Sequence, residues 1–277
     1  MMKKIIPLLL LLFVNSGFSW NSLGHRLVAQ IALDNMNSVE RAYFNRLNNL
    51  LNKNSRKYTL VNSAIWMDNL YNENLKPLRS FHYIDLPFSK DGSKLVKVDK
   101  SNAVFAINMS MLTLQDKNAP DLDKAIAARI LWHVVGDIHQ PLHSVTLVSK
   151  KNPMGDMGGN LVILPKNSVA KNLHAYWDRG AGSFRVKKKY TAKDVKKMAR
   201  NISDKWPCDK LKYKEYASDN PMKWAFESHK IAINFSYQFS LDKNYQYKAE
   251  NISKQRIALA GCRLAAKASL INWIYGF

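Results

Sequence analysis

The stretch AIAARILWHVVGDIHQPLH, residues 125–143, decides how this 277-residue chain folds and where its chemistry lies. Apolar residues recur three and four positions apart along its first half, which predicts a helix with a wide buried face. His133 and Asp137 are four residues apart, so they project from one face of that helix, one turn from each other. Pro141 predicts that the helix ends before His143. A charged aspartate inside an apolar helix is costly unless it is paired or bound to a metal.

Other segments carry the same two residue types. Asp68 lies in AIWMDNL, His82 in FHYID and His25 in SLGHR, and NLHAYWD repeats the four-residue spacing with His174 and Asp178. Imidazole and carboxylate ligands without thiolates suit a catalytic zinc ion, which keeps one position open for water. A single such histidine is usually a hydrogen-bonded core residue, and a single pair could be a salt bridge. The combination of all of them predicts metal binding.

The rest of the chain is also helical by pattern. Apolar residues recur at helical spacing in residues 24–36, 38–53, 60–71, 101–115, 192–206, 220–239 and 252–275, with Ser38 and Asp219 as helix starts. FHYIDLP, 81–87, and GGNLVILP, 158–165, resist a helix and could be strands or extended loops, and residues 88–100 and 149–159 are predicted loops. We therefore predict a single mainly α domain with at most a small β element.

Residues 1–19, MMKKIIPLLLLLFVNSGFS, have the pattern of a secretory signal peptide. Two lysines precede an apolar run over 5–14, and the small residues Gly17 and Ser19 precede a cleavage site. We expect the mature domain to be residues 20–277, secreted or periplasmic and without a stable membrane anchor. An uncleaved N-terminal anchor is the alternative, because the pattern alone does not establish cleavage.

Composition describes a basic protein with few cysteines. The chain has 42 lysines and arginines against 21 acidic residues, a formal charge of +21. A field of that sign attracts polyanions, either nucleic acids or anionic lipid surfaces, although a solvated basic surface without a partner would look the same. Cys208 and Cys262 fit an exported protein with one disulfide, but the sequence gives no distance between them, so their pairing stays open.

Five segments together resemble a known family. WNSLGH at 20–25, HYIDLP at 82–87, HVVGDIHQPLH at 133–143, GGN at 158–160 and NLHAYWD at 172–178 are similar, in this order, to the secreted zinc-dependent nucleases of fungi and plants, the S-one/P-one nuclease family. That family shares its fold with bacterial zinc-dependent phospholipase C. The histidine–aspartate spacings are loose patterns alone, but five such segments behind a signal peptide are specific.

The resemblance implies three zinc ions in a cleft of a mostly helical domain. It assigns the first ion to Asp68, His82, His133 and Asp137, the second to His143, His174 and Asp178, and the third to Trp20, His25 and the shared Asp137. Trp20 would bind through its α-amino nitrogen and its carbonyl oxygen, which requires a processed N-terminus. Signal cleavage would then complete the third site.

The same resemblance implies an endonuclease acting as a monomer on single-stranded DNA and RNA, with 5′-phosphate products and a 3′-nucleotidase activity. Asp68 would orient the attacking water, Tyr83 would stack on a nucleobase and Asn160 would contact a base. A core tyrosine and a turn asparagine are the alternative interpretations. Some relatives carry a lysine or arginine where this chain has Tyr71, so phosphate positioning would require Lys76 or Arg79 instead.

Three further histidine and aspartate side chains have smaller expected roles. Asp85 could orient His82 or cap a turn, while His139 and His229 are predicted packing or surface residues. Two other functions remain open at this point. One is a phospholipase C that uses the same metals on lipid headgroups, and the other is a non-enzymatic protein that binds zinc or nucleic acid.

Overall fold

The computed structural model describes residues 20–52, 57–72, 76–184, 189–210 and 219–275, so the predicted signal peptide lies outside it. Ten α-helices occur in this part of the chain: α1 (Ser22–Asp34), α2 (Ser38–Asn52), α3 (Leu60–Ser63), α4 (Trp66–Asn72), α5 (Ala103–Gln115), α6 (Asp121–Asp137), α7 (Leu173–Asp178), α8 (Ala192–Lys205), α9 (Pro221–Asn234) and α10 (Lys243–Tyr275). Four 3₁₀ helices lie between them, at Lys76–His82, Pro141–Ser144, Gly180–Gly182 and Ser236–Gln238. The prediction of a mainly α fold is confirmed.

Helix α6 lies at the centre of the molecule. It packs against α5 on one side and α2 on another, while α1 and α10 pack against each other and against α6. Every residue of α6 from Leu131 to Asp137 is buried. A helix that is buried all round belongs to the core, and the polar side chains it carries are therefore enclosed. This placement removes His133 and Asp137 from bulk solvent.

The β structure is one parallel pair, β1 (Pro87–Ser89) with β2 (Thr146–Val148). Pro87 is opposite Thr146 and Ser89 opposite Val148. FHYIDLP is therefore the end of a 3₁₀ helix that leads into β1, whereas GGNLVILP forms turns with one isolated bridge between Ile163 and Asn172. The expected small β element is present, but it lies elsewhere: β1 shares only Pro87 with FHYIDLP and continues into the predicted loop, and β2 begins three residues after His143, where no strand was predicted.

Several helix boundaries differ from the sequence-based expectation. Helix α2 does begin at Ser38, but the capping residue is Asn37, whose side chain accepts the Glu40 N–H while Glu40 accepts the Asn37 N–H in return. Asn220 rather than Asp219 caps α9. The predicted helix over residues 60–71 is broken between α3 and α4. The last helix begins nine residues before the predicted start, at Lys243.

A disulfide joins Cys208, after α8, to Cys262 in α10, with 5.5 Å between the two Cα atoms. It fixes the basic helix α8 and the segment that follows it to the long C-terminal helix. None of the helices in the described residues combines the length and the low polarity that a membrane span requires.

Candidate metal centre

One group of side chains surrounds the C-terminal end of α6. His133 Nε2 lies 3.0 Å from Asp137 Oδ2 and 2.9 Å from His82 Nδ1, and His82 Nδ1 lies 3.2 Å from the same carboxylate oxygen. Asp68, from α4, places its Oδ1 3.5 Å from His133 Nε2 and 3.9 Å from His82 Nδ1. Three elements that are distant in sequence thus place four donor atoms within a few ångströms of one another.

His25 extends this group on the side of α1. Its Nε2 lies 3.3 Å from Asp137 Oδ1, and its ring stacks on the His133 ring with the centroids 3.9 Å apart. Gly136 permits this approach, because a side-chain carbon at that position would lie 3.0 Å from His25 Nδ1. The two oxygens of Asp137 therefore face different imidazoles.

Trp20 lies beside this group at the start of α1. Its indole is fully buried, donates to the Gly136 carbonyl at 3.0 Å and packs edge-on against Phe184 at 5.9 Å. The backbone N–H of Asn21 donates to the Asp178 carbonyl, so the chain just after Trp20 is also attached to α7. The beginning of the predicted mature chain is thereby held between α6 and α7.

A second group lies around His143, which follows the end of α6, and α7. His143 Nε2 and His174 Nε2 are 3.1 Å apart, and they lie 3.6 Å and 3.7 Å from the carboxylate oxygens of Asp178. Gln140 donates its amide to Asp178 Oδ1 at 2.8 Å, while its own carbonyl oxygen accepts the Leu142 N–H at 2.6 Å. This second contact fixes which end of the amide faces the carboxylate.

Backbone carbonyls select the tautomers of three histidines in these groups. The Nδ1 atoms of His133, His143 and His174 lie 2.6–2.8 Å from the carbonyl oxygens of Ala64, His82 and Gly158. A carbonyl oxygen can only accept, so each Nδ1 carries a proton and each neutral ring presents a lone pair at Nε2. In the second group, two such lone pairs face each other, which is repulsive unless a cation lies between them.

Ionisation in the first group follows from its burial and its charges. Burial opposes protonation of His133, but the carboxylates of Asp137 and Asp68 outweigh it and raise its pKa to about 9. Burial also opposes ionisation of Asp137, yet the surrounding imidazoles hold its pKa well below the usual value. The carboxylate is thus charged, and a metal ion bound there would replace the Nε2 proton of His133.

The second group behaves differently. Burial lowers the pKa of His174 and raises the pKa of Asp178 to about 8. At neutral pH the His174 imidazole is therefore uncharged, and the Asp178 carboxyl is mostly protonated. A divalent cation would reverse the effect on Asp178 by stabilising the carboxylate.

The donor atoms fit zinc. Although imidazole nitrogens lie 3.0–3.3 Å from both Asp137 oxygens, neither oxygen receives a well-aligned hydrogen bond from the described residues. Ligands that share a tetrahedral zinc ion at about 2.0–2.1 Å are about 3.3 Å apart. The spacings in the two groups, 2.9–3.9 Å, lie around this value. Three sets of donors result, of which the first two share His133: His25, His133 and Asp137; Asp68, His82 and His133; and His143, His174 and Asp178.

The remaining predicted residues have mixed placements. Tyr83 is half-buried next to His82, whereas Asn160 is buried and donates its amide to the Met157 carbonyl at 2.8 Å, as a turn residue does. Base contacts by either residue stay predictions. The side chains of Tyr71 and Lys76 lie outside the described residues, and Arg79 is exposed.

Asp85 does not orient His82, since no hydrogen bond joins the two among the described residues. The charges nearest to Asp85 are those of Asp156 and His143. His139 is fully buried and is a packing residue, as predicted, and His229 is half-buried with its Nδ1 3.0 Å from the Ser144 carbonyl.

Sequence reasoning missed Gln140 and Gly158. The glutamine lies between Asp137 and His143 in the motif HVVGDIHQPLH, and this position was the available signal in the sequence. Gly158 has a φ of 61° and supplies the carbonyl that orients His174, while a side-chain carbon there would lie 2.3 Å from the Leu142 carbonyl oxygen. A left-handed conformation in so little space explains the paired glycines.

Comparison with known proteins agrees with this geometry. Nuclease S1 of Aspergillus oryzae is 27% identical to the chain over 98% of both proteins, and Endonuclease 1 of Arabidopsis thaliana is 29% identical over 94% of this chain and 90% of its own length. Nuclease P1 of Penicillium citrinum is 27% identical over 57% of each chain. The profile of the family described as S1/P1 Nuclease matches residues 20–272. The chain therefore belongs to the S1/P1 nuclease family and is a hydrolytic nuclease.

Proposed function

We propose that the mature chain, residues 20–277, is a zinc-dependent endonuclease that cleaves single-stranded DNA and RNA to 5′-phosphate products. The observation that carries this proposal is that the Nε2 atoms of His143 and His174 lie 3.1 Å apart while both Nδ1 atoms face backbone carbonyls, which leaves both Nε2 atoms to bind a cation. Removal of 3′-phosphates from nucleotides would use the same centre. Residues 1–19 act as a signal peptide, and the mature protein is a secreted or periplasmic monomer.

Three zinc ions account for all the donor atoms. Asp68, His82, His133 and Asp137 would hold one ion, His143, His174 and Asp178 another, and Trp20, His25 and Asp137 the third. Asp137 is shared because its Oδ2 faces His82 and His133 while its Oδ1 faces His25. An α-amino group has a pKa of about 8 and gives up its proton to a metal at modest cost. A chain that begins at Trp20 therefore supplies a ligand there.

Bound zinc would lower the pKa of a coordinated water to about 7 and polarise the phosphate ester. The Asp68 side chain is 16% exposed, whereas the side chain of Asp137 is completely buried. Asp68 is therefore the carboxylate that a water molecule and a substrate can reach, and it accepts a hydrogen bond from the attacking water. The buried carboxylates and imidazoles hold the centre in place.

Substrate preference follows from charge and from one aromatic side chain. The formal charge of +21 favours a polyanion. The ring of Tyr83, next to His82, can stack on an unpaired base, a contact worth about 1–3 kcal/mol per base. A base can use it only when it is not stacked in a duplex, which favours single strands.

Product analysis tests this function. Metal-loaded mature protein is incubated with single-stranded DNA, RNA and phosphatidylcholine vesicles, and soluble nucleotides and phosphocholine are measured. We expect nucleotides with 5′-phosphate ends and no phosphocholine. Release of phosphocholine alone would establish a phospholipase C, and binding of strands that stay uncut over long incubation would establish a non-enzymatic protein.

Metal counting tests the three sites. One extra residue before Trp20 should remove the amino ligand, and elemental analysis should then find one zinc ion fewer per chain, with sharply reduced activity. The substitution Asp137→Asn should lower the count by two, because this carboxylate would bind two ions. A full zinc count in the extended protein would refute the N-terminal ligand, and the loss of only one ion in the substituted protein would refute the sharing.

A further inference from the structure

Helix α8 presents a row of positive charges to solvent. Lys193, Lys196, Lys197 and Arg200 are all exposed and follow the spacing i, i+3, i+4, i+7, so they lie on one face of the helix. The buried residues of α8, Val195, Ala199 and Ile202, lie on another face, where the helix packs against α1. We call the four exposed cations the α8 stripe.

The N-terminal end of the α8 stripe lies close to the metal centre. Arg26, the residue after His25, donates a hydrogen bond to the Tyr190 carbonyl at 3.2 Å, directly before the cap of α8 at Thr191. Phe184, shortly before α8 along the chain, packs on Trp20 and accepts a hydrogen bond from the Asn21 side chain. The helix therefore starts beside the first turn of α1, which contains His25.

The charges of the α8 stripe are not neutralised by the fold. Among the residues that the structure describes, no carboxylate lies within ion-pair distance of any of the four side chains. The carboxylate of Asp194 instead accepts hydrogen bonds from the backbone N–H and the hydroxyl of Thr191, in the capping box of α8. Like charges three and four residues apart destabilise a helix. An anion bound to the α8 stripe would reduce this repulsion.

We propose that the α8 stripe binds the phosphate backbone of single-stranded nucleic acid whose cleavable bond lies in the metal centre. The stripe rises about 10 Å along the helix axis, enough to follow consecutive phosphates of an extended strand. Long strands would be held at both places, whereas a dinucleotide would reach only the metal centre. This inference rests on the proposed nuclease function and adds a substrate-length dependence to it.

A pair of fourfold variants tests this surface. One replaces Lys193, Lys196, Lys197 and Arg200 by glutamine, and the other replaces Lys223, Lys230, Lys243 and Lys248, four exposed lysines of α9 and α10. Both remove four positive charges, so they differ only in where the charge is lost. For each, kcat/KM is measured against salt concentration with strands of about 30 nucleotides and with a dinucleotide.

We expect the α8 variant to lose about tenfold or more in kcat/KM on long strands at about 50 mM salt, with dinucleotide cleavage unchanged. Its slope of log kcat/KM against log salt should become shallower by about 1.5–2, since the stripe spans about two to three phosphates of an extended strand and each contact contributes about 0.7. The α9–α10 variant should keep most of the wild-type slope. Circular dichroism checks the fold, and the double variant Lys196→Gln/Lys197→Gln should give about half the change in slope.

Equal effects of the two fourfold variants would overturn the proposal in favour of net charge alone, and so would the absence of any effect. Unchanged strand affinity combined with lost binding to phosphatidylglycerol vesicles would identify a membrane surface as the partner instead. Fluorescence anisotropy with a phosphorothioate strand measures binding without turnover. A protein that binds this strand through α8 but cleaves nothing would contradict the proposed function and leave the binding surface intact.

Discussion

The single side chain of Gln140 connects the fold to the second group of ligands. It is completely buried, and its amide holds Asp178 Oδ1 while Leu142 holds its carbonyl. The hydrogen bond keeps the carboxylate in one orientation, with Oδ1 3.6 Å from His143 Nε2 and Oδ2 3.7 Å from His174 Nε2. Residues that hold a ligand in this way typically contribute about 10–100-fold to metal affinity.

The substitution Gln140→Glu should therefore weaken one zinc site, because it replaces the amide donor by a carboxylate that repels Asp178. We expect about 10–100-fold weaker binding of one ion per chain, measured by competition with a chromogenic chelator. Gln238→Glu makes the same charge change at an exposed position and should have no effect. Wild-type affinity for all ions in the first variant would mean that Gln140 has only a packing role.

Asp85 offers a pH-dependent prediction at the same scale. Burial, assisted by the charge of Asp156, raises the pKa of Asp85 to about 6, and His143 opposes this shift. Since the folded-state pKa exceeds the unfolded value of about 3.9, this group contributes stability below about pH 4 that is lost as the pH rises to about 6. Asp85→Asn should therefore raise the free energy of unfolding of chelator-treated protein at pH 7 by up to about 3 kcal/mol, which is measured as a higher Tm. This gain should disappear below about pH 4.

Asp91 is the matched control because its shift has the opposite sign. Ser93 and the Lys150 N–H hold the pKa of this exposed carboxyl below its usual value. Its contribution is therefore present at neutral pH and is lost as the pH falls through the folded-state pKa. Asp91→Asn should lower Tm at pH 7, and a Tm gain in both variants would contradict the electrostatic explanation.

At the scale of elements, α9 and α10 hold the turn that follows α6. Arg263 of α10 binds Glu227 of α9 through two bonds of 2.7 Å and donates to His139 Nε2 at 2.9 Å. Arg256 donates to the His139 carbonyl at 3.2 Å, and Ser228 donates to the Ile138 carbonyl at 2.6 Å. This turn lies between Asp137 and His143, so the C-terminal helices fix the positions of two proposed ligands relative to each other.

Arg263→Ala should remove a buried charge and leave Glu227 without its main partner. Breaking such a buried pair costs about 3–5 kcal/mol, and we expect a loss of that size in urea unfolding together with a reduced zinc content. Lys254→Ala breaks the partly exposed pair with Glu250, whose atoms are 3.8 Å apart, and should cost about 0.5 kcal/mol or less. Similar losses in the two variants would show that the turn does not depend on this network.

The same scale shows what the sequence could and could not predict. The spacing of His133 and Asp137 predicts a shared helix face, because that relation is local. No glycine or proline marks the break between α3 and α4, yet Ala64 lies in it and its carbonyl accepts the His133 N–H. Likewise, β2 and the contacts of Gln140 depend on segments that are distant in sequence. Local periodicity carries no information about such contacts, whereas the family resemblance predicted which ligands come together.

For the whole molecule, the proposed metal ions should act as cross-links, since the proposed side-chain ligands come from α1, α4, α6, α7 and the 3₁₀ helices at Lys76–His82 and Pro141–Ser144. An ion present at about 1,000 times its Kd stabilises the folded state by about 4 kcal/mol, or about 8–16 °C in Tm for a domain of this size. Chelation should therefore lower Tm by at least about 10 °C, reversibly on zinc addition, and by less in Asp137→Asn. Replacing both Cys208 and Cys262 by alanine should lower Tm separately and leave the chelator effect unchanged. A Tm that does not respond to chelation would mean that the folded chain binds these ions no more tightly than the unfolded chain does, which would contradict the proposed metal centre.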